Sequence, residues 1–285
     1  MKKTLLSLAA VAAFTSVPAF AAVSLLDFKV EEGSVPGAYA NKITADKLNG
    51  GYNEKYSVYA TSPSTLGFTT HAYANFSALY GNDGQDLLLT QLGGGGFGQS
   101  NQYQMYALFD ATGSVSLGAG GQAQFNGNSG TFSLYIDVNS NTTKALGADG
   151  FANVVLGNTS DDYLIASSSS LFSLKNVIGN PGAFDLWFKD FTLTTGDQSG
   201  AFAGDQNGES YFVSPRPFYL ETNVDGDFDN VDFSTLLATV STGAVYTTSV
   251  TGDVSAVFVP EPSSLALLGL GLTGLGLSLR RRKAA

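Results

Sequence analysis

The sequence has 285 residues, with 14 Lys and Arg against 24 Asp and Glu, and it contains no cysteine. No disulfide can therefore stabilise the protein, and no site can use a thiol. The chain has one histidine, His71, which excludes a zinc site built from several His or Cys ligands. Aromatic residues make up 12% of the chain, and this share excludes a purely disordered tether.

The first 21 residues have the pattern of a secretory signal peptide. Two lysines precede an apolar run at 5–14, and Ala19 and Ala21 supply the small residues of a cleavage site. The apolar run is too short for a transmembrane helix. We therefore expect residues 1–21 to form a signal helix that engages the Sec machinery and is cleaved after Ala21.

Between residues 22 and 259 the chain is strongly acidic. Removing the six bases and one acid of the two terminal segments leaves 8 bases and 23 acids, a net charge of −15. A field of that sign repels phosphate backbones, so we expect no nucleic-acid partner. The same charge favours contacts with divalent cations, which can bridge acidic proteins and acidic polysaccharides.

Apolar and polar residues alternate with a period of two through most of this region. The alternation predicts antiparallel strands with buried faces within 68–78, 103–109, 132–138, 218–224 and 254–258. Within 184–193 the apolar parity shifts at Lys189 and Asp190, which predicts a β-bulge. Since no stretch has a convincing helical period, we expect one all-β domain over residues 22–259, an antiparallel β-sandwich or barrel-like fold.

The strongest candidate for a metal site is the segment DGDFDNVD at 225–232. Asp225, Asp227 and Asp229 alternate in what we predict to be a turn, and a turn would place several hard oxygens on one side, which suits calcium. The segment is not an EF-hand loop, because Asn230 stands where that loop needs glycine. A solvated acidic turn is the alternative, and apart from this calcium we expect no cofactor. A weaker version of the pattern consists of Asp137, Asn139 and Asn141.

No motif indicates a catalytic centre. A Ser-His-Asp triad would have to use His71, which the alternation places on the outward face of a strand, and no nucleophile elbow is present. The glycines at 93–98 lack the Lys-Ser/Thr of a phosphate loop. A glycosidase needs two carboxylates about 5–10 Å apart, and nothing singles out such a pair. We therefore expect a non-enzymatic protein.

The last 26 residues, 260–285, carry three consecutive signals. A proline-acid-proline element precedes an uncharged stretch at 263–279, and a basic cluster follows it. Because a helix of 17 residues is about 26 Å long, this stretch can just cross a bilayer, with the basic cluster in the cytoplasm. The element and the start of the cluster are Pro260, Glu261, Pro262, Arg280, Arg281 and Arg282.

This tail resembles the PEP-CTERM sorting tail of Gram-negative bacteria. The resemblance implies a transmembrane sorting helix held briefly in the inner membrane. It also implies that an exosortase cleaves the chain near the proline-acid-proline element and that the product is exported. We therefore expect the mature protein to be secreted into the extracellular matrix.

The rest of the chain resembles the flocculation-associated PEP-CTERM proteins. The segments that carry the likeness are VEEGSVPGA at 30–38, ADKLNGGY at 45–52, MYALF at 105–109, NVDGDFD at 223–229 and GDVS at 252–255. The resemblance implies that the protein acts with exopolysaccharide or cell-surface components in floc or biofilm formation, and it attributes no catalytic residues.

Two other functions remain open at the level of sequence. The first is a lectin-like glycan-binding module, with or without calcium, in which the outward aromatic residues Tyr73, Tyr135 and Trp187 stack on sugar rings. The second is a glycan hydrolase.

Overall fold

The computed structural model describes residues 25–62, 65–93, 103–117, 123–173, 176–178, 183–198, 206–215, 220–227 and 233–258. These residues are mostly antiparallel β-sheet, which confirms the all-β class. The strands are β1 (Phe28–Glu31), β2 (Lys42–Ala45), β3 (Lys47–Ser62), β4 (Thr65–Gly81), β5 (Asp86–Leu87), β6 (Gln104–Leu117), β7 (Ala123–Asp137), β8 (Thr143–Ala145), β9 (Val155–Gly157), β10 (Asp162–Ser168), β11 (Ser170–Ser173), β12 (Asn176–Ile178), β13 (Ala183–Lys189), β14 (Thr192–Leu193), β15 (Phe212–Ser214), β16 (Leu220–Asp227) and β17 (Tyr246–Phe258).

One twelve-stranded sheet forms the body of the fold. Its order is β11-β13-β16-β17-β3-β4-β6-β7-β10-β14, with β12 also paired to β7 and β5 to β4. A second sheet has the order β15-β1-β2, and β8 and β9 form a separate hairpin. The hydrogen-bonded order of the large sheet has two ends, so the described strands form no closed barrel.

The large sheet curls until its two halves face each other. Phe188 of β13 and Phe132 of β7 are six strands apart in the hydrogen-bonded order. In a flat sheet that separation would be about 29 Å, because neighbouring strands lie about 4.8 Å apart. Their ring centroids are 5.4 Å apart, and Phe109 stacks on Phe132 at 5.8 Å. The arrangement is therefore sandwich-like, with these rings between the two layers.

The inner face of the long central strands follows the predicted alternation. Phe68, Phe76 and the residues of the same parity between them are buried, as expected from their period of two. The prediction was wrong for Ala78, because a register shift after Phe76 turns Leu79 inward in its place. The shift lies opposite Gly50, where an added Cβ would be 2.0 Å from the carbonyl oxygen of Asn75. Glycine at that position therefore allows the close approach of the two strands.

The predicted bulge at Lys189 and Asp190 is a break between two strands. β13 ends at Lys189, and Asp190 adopts a left-handed conformation with φ of 56°. The hydroxyl of Ser168 donates to the Lys189 carbonyl, and that of Ser170 donates to Asp190 Oδ2 at 2.9 Å. The chain then pairs with β10 through β14. The parity shift thus marks the point where the chain leaves one half of the sandwich for the other.

Three short helices were not predicted from the sequence. A 3-10 helix spans Glu32–Ser34, α1 spans Gly208–Tyr211 and α2 spans Phe233–Ser241. In α2, Leu236 and Val240 are four residues apart and both buried, so they lie on one helical face against the core. The helical pattern of α2 was missed because a helix of 9 residues has only about two and a half turns, too few to establish a period.

Candidate functional site

Three aspartates converge where β7 leaves the large sheet and β10 enters it. Asp137 is the last residue of β7, and it pairs in register with Asp162, the first residue of β10. Asp161 directly precedes that strand. One carboxylate oxygen from each of the three lies within 4.8 Å of those of the other two. Asp137 and Asp161 are only 0% and 4% exposed, so strand pairing creates a compact acidic cluster at the sheet edge.

Backbone amides of the loop after β7 hold two of these carboxylates. Asp137 accepts from the amides of Asn141 at 3.1 Å and Thr142 at 2.9 Å, one on each oxygen. Asp161 Oδ2 accepts from the amide of Asn139 at 2.8 Å. The other oxygen, Asp161 Oδ1, is buried and has no hydrogen-bond partner. The loop therefore wraps around the cluster and leaves one carboxylate oxygen unsatisfied.

The third carboxylate, Asp162, accepts from two hydroxyl groups. The hydroxyl of Tyr106 lies 2.6 Å from Asp162 Oδ2, and that of Thr142 lies 2.8 Å from both oxygens. Burial raises the pKa of Asp162, the two hydrogen bonds oppose the rise, and the charges of Asp137 and Asp161 add to it. Burial and the contact with Asp162 raise the pKa of Tyr106 as well. The charges of Asp137 and Asp161 therefore disfavour the ionisation of Asp162.

Lys144 is the nearby base, and it bonds to groups other than the carboxylates. Its Nζ donates to the carbonyl of Thr142 at 3.2 Å and lies 4.5 Å from the centroid of the Tyr106 ring. Burial lowers the pKa of Lys144, while the charges of Asp137 and Asp162 act in the opposite direction. The oxygen-only donor set suits a hard cation such as calcium. Because Asp137 and Asp161 are buried, the cluster suits a small ion better than a sugar.

The segment predicted to bind calcium has a different backbone from the one expected. Asp225 and Asp227 lie in β16, where Asp225 pairs with Asp185 on one side and Asp253 on the other. The predicted turn is therefore wrong at these positions, because β13 extends the ladder through both residues and β17 extends it through Asp225. Asp229 lies outside the described residues, and calcium binding by this segment remains a prediction.

The three outward aromatic residues lie on separate strands and form no continuous row. Tyr73 is half-buried on β4, and Tyr135 stacks on Tyr106 with centroids 5.1 Å apart. Four strand-to-strand steps, about 19 Å, separate Trp187 on β13 from Tyr73. Trp187 lines a pocket of about 260 Å³ together with Lys47, Asp83, Gly84, Leu25, Ser255 and Val257.

The predicted processing sites lie outside the described residues. This holds for Ala19 and Ala21, for the proline-acid-proline element and for the arginine cluster. A comparison with protein families supplies the evidence for the C-terminal segment. Residues 258–283 match the PEP-CTERM protein-sorting motif, a range that includes Pro260, Glu261, Pro262 and Arg280 to Arg282. The chain carries a PEP-CTERM sorting motif.

The motif implies that the protein is exported and that an exosortase processes it in transit. Comparison with curated proteins and with solved structures gave no match. In the part of the chain that the structure describes, no helix has the length and apolar character to cross a membrane. The predicted sorting helix at 263–279 lies outside that part.

The sequence patterns did not identify Asp161 and Asp162 as candidate metal ligands. Asp137, Asn139 and Asn141 were recognised as a weak calcium pattern because their spacing is local. The two other aspartates join them only through the pairing of β7 with β10. The adjacent aspartates just before a strand with alternating apolar residues were the available signal.

Proposed function

We propose that this exported domain is a non-enzymatic protein of the extracellular matrix that promotes cell aggregation together with exopolysaccharide. The observation that carries the proposal is the PEP-CTERM motif joined to an acidic β-rich domain. The five segments that resemble flocculation-associated proteins support the same role. The export route fits because a matrix protein must leave the cell before it can connect cells.

The charge of the domain limits how it can hold a cell surface. At a net charge of −15, direct attraction to acidic polysaccharide is unfavourable, so contacts must use neutral sugars, apolar groups or bridging cations. Apolar side chains are available: Tyr39, Leu87 and Leu89 are 65%, 54% and 62% exposed. Gln91 holds Tyr39 beside the segment that carries the two leucines, because its Oε1 accepts from the Tyr39 amide at 2.7 Å. For bridging cations, Asp225, Asp227 and Asp229 are the candidate residues.

A lectin-like function is the second candidate, and the pocket beside Trp187 favours it. An indole side chain next to Lys47, Asp83 and Ser255 combines an apolar surface with polar groups, as sugar sites do. A glycan array with and without a chelator tests this candidate, since a matrix role without sugar recognition predicts no selective binding. Product analysis on purified polysaccharide tests the third candidate, a glycan hydrolase.

Deletion of the gene is the test of the aggregation role. We expect the deletion strain to disperse while it secretes its normal amount of polysaccharide, because the protein would connect the matrix rather than make it. Aggregate size and secreted polysaccharide are therefore measured separately. Normal aggregation in the deletion strain would refute the proposal, and loss of polysaccharide secretion would assign the protein to a different step.

A further inference from the structure

The acidic cluster of Asp137, Asp161 and Asp162 brings negative charge together, and no base among the described residues forms an ion pair with it. Two of the three carboxylates are buried, and one oxygen of each lies within 4.8 Å of the others. Lys144 donates to a carbonyl and lies over an aromatic ring, so it forms no ion pair with the three carboxylates. Buried charges are costly unless a charge or a metal compensates them. The arrangement therefore calls for a cation.

A second observation, independent of the charge, points to the same conclusion. Asp161 is 4% exposed, and its Oδ1 has no hydrogen-bond partner even though Oδ2 is held by the amide of Asn139. Leaving a buried carboxylate oxygen unsatisfied costs free energy, whereas a metal ion would satisfy it. The fixed Oδ2 keeps this carboxylate in the cluster with its remaining oxygen available.

We propose that Asp137, Asp161 and Asp162 bind one calcium ion. Oxygens bind calcium at about 2.3–2.6 Å, so two ligands of one ion lie no more than about 5 Å apart, and the observed limit of 4.8 Å is compatible with this. The donors are all oxygens, which disfavours zinc. Magnesium retains several waters in a strict octahedron, and a buried group of three carboxylates suits calcium better.

The ion would fasten the loop after β7 to the start of β10. The same loop leads into the β8–β9 hairpin, whose connecting loop contacts β3: the amide of Gly150 donates to Ser57 Oγ at 2.9 Å, and the ring centroids of Phe151 and Tyr59 are 5.2 Å apart. The bound ion therefore stabilises the fold, and this inference does not depend on the proposed role in aggregation.

The test measures thermal unfolding of the exported protein, collected outside the cells, in calcium chloride and in a chelator. At a calcium concentration about a hundred times the dissociation constant, we expect the melting temperature to rise by roughly 5–10 °C for a domain of this size. Asp161→Asn should abolish the rise. In the chelator this variant should melt above the unmutated protein, because it removes one of three repelling charges and retains an acceptor for the Asn139 amide.

Two comparisons make the assignment specific. The variant Asp225→Asn/Asp227→Asn/Asp229→Asn should retain the full calcium response, and magnesium at the same concentration should give a much smaller one. Should Asp161→Asn fail to accumulate, Asp162→Asn is measured with the same expected loss. The proposal is overturned if calcium leaves the unmutated protein unchanged, if Asp161→Asn or Asp162→Asn responds fully, or if magnesium acts as well as calcium.

Discussion

Replacing Glu32 with alanine is expected to lower the free energy of unfolding by roughly 3–5 kcal/mol. The Glu32 side chain is fully buried, and its hydrogen-bond donors among the described residues are all neutral. The donors are Asn41 Nδ2 at 2.7 Å, the Thr90 hydroxyl at 2.5 Å, the Gln91 amide at 2.8 Å, Gln91 Nε2 at 3.2 Å and the Tyr103 hydroxyl at 2.8 Å. Alanine would leave these donors, among them the buried Gln91 and Tyr103, without their acceptor. The loss is measurable by denaturant unfolding.

Glu31→Ala is the matched control for this substitution. The neighbouring Glu31 is partly exposed and forms an ion pair at 3.2 Å with Lys42, whose side chain is 81% exposed. Because solvent screens such a pair, its loss should cost no more than about 1 kcal/mol. Glu32→Gln should also destabilise the protein, since its amide group would face other donors. Equal effects of Glu31→Ala and Glu32→Ala would show that the network contributes little.

Glu54→Gln is expected to stabilise the protein by roughly 3 kcal/mol at pH 8 and to change it little at pH 4.5. Burial raises the pKa of Glu54 from 4.5 to about 7, against an opposing hydrogen bond from Thr70. The neutral form is thus favoured in the folded protein. The contribution of the neutral Glu54 carboxyl group to stability is complete below its pKa in the unfolded chain. This contribution is lost as the pH rises through its pKa in the folded protein.

The hydrogen bonds around Glu54 agree with a neutral carboxyl group. The Thr70 hydroxyl lies 2.5 Å from Glu54 Oε1 and 2.9 Å from the Lys55 carbonyl, yet it has only one proton. A protonated Glu54 can donate to Thr70, which then donates to Lys55. The measurement is the difference in unfolding free energy between Glu54→Gln and the unmutated protein from pH 4.5 to 8. A difference that stays constant over this range would contradict the raised pKa.

The alternation of residues predicted the buried faces of several strands, but the segments that carry the two buried glutamates were not among them. Glu32 has the parity of Phe28 and Val30, and Glu54 has that of Tyr52 and Tyr56, so both point inward with apolar neighbours. Parity does not identify their partners, however. Thr90 and Gln91 reach Glu32 from 58 and 59 residues away along the chain.

The acidic cluster was only partly predictable for a related physical reason. Local spacing identified Asp137, but the register of β7 against β10 decides that Asp162 lies opposite it. The same limit explains the error at Asp225, where pairing on both sides extends a strand through residues whose composition favours a turn. Candidate ligands could be recognised from their spacing along the chain, whereas the contacts between distant strands could be identified only in the structure.

Complementation of the deletion strain tests the central claim most directly, because the claim joins export to aggregation. One strain receives the unmutated gene, and the other receives a gene with Pro260, Glu261 and Pro262 all replaced by alanine. We expect the unmutated protein to appear outside the cells without residues 1–21 and 263–279 and to restore aggregates. The variant should remain unprocessed and leave the cells dispersed. Full aggregation by cells whose protein retains the intact tail, confirmed by its intact mass, would contradict the account.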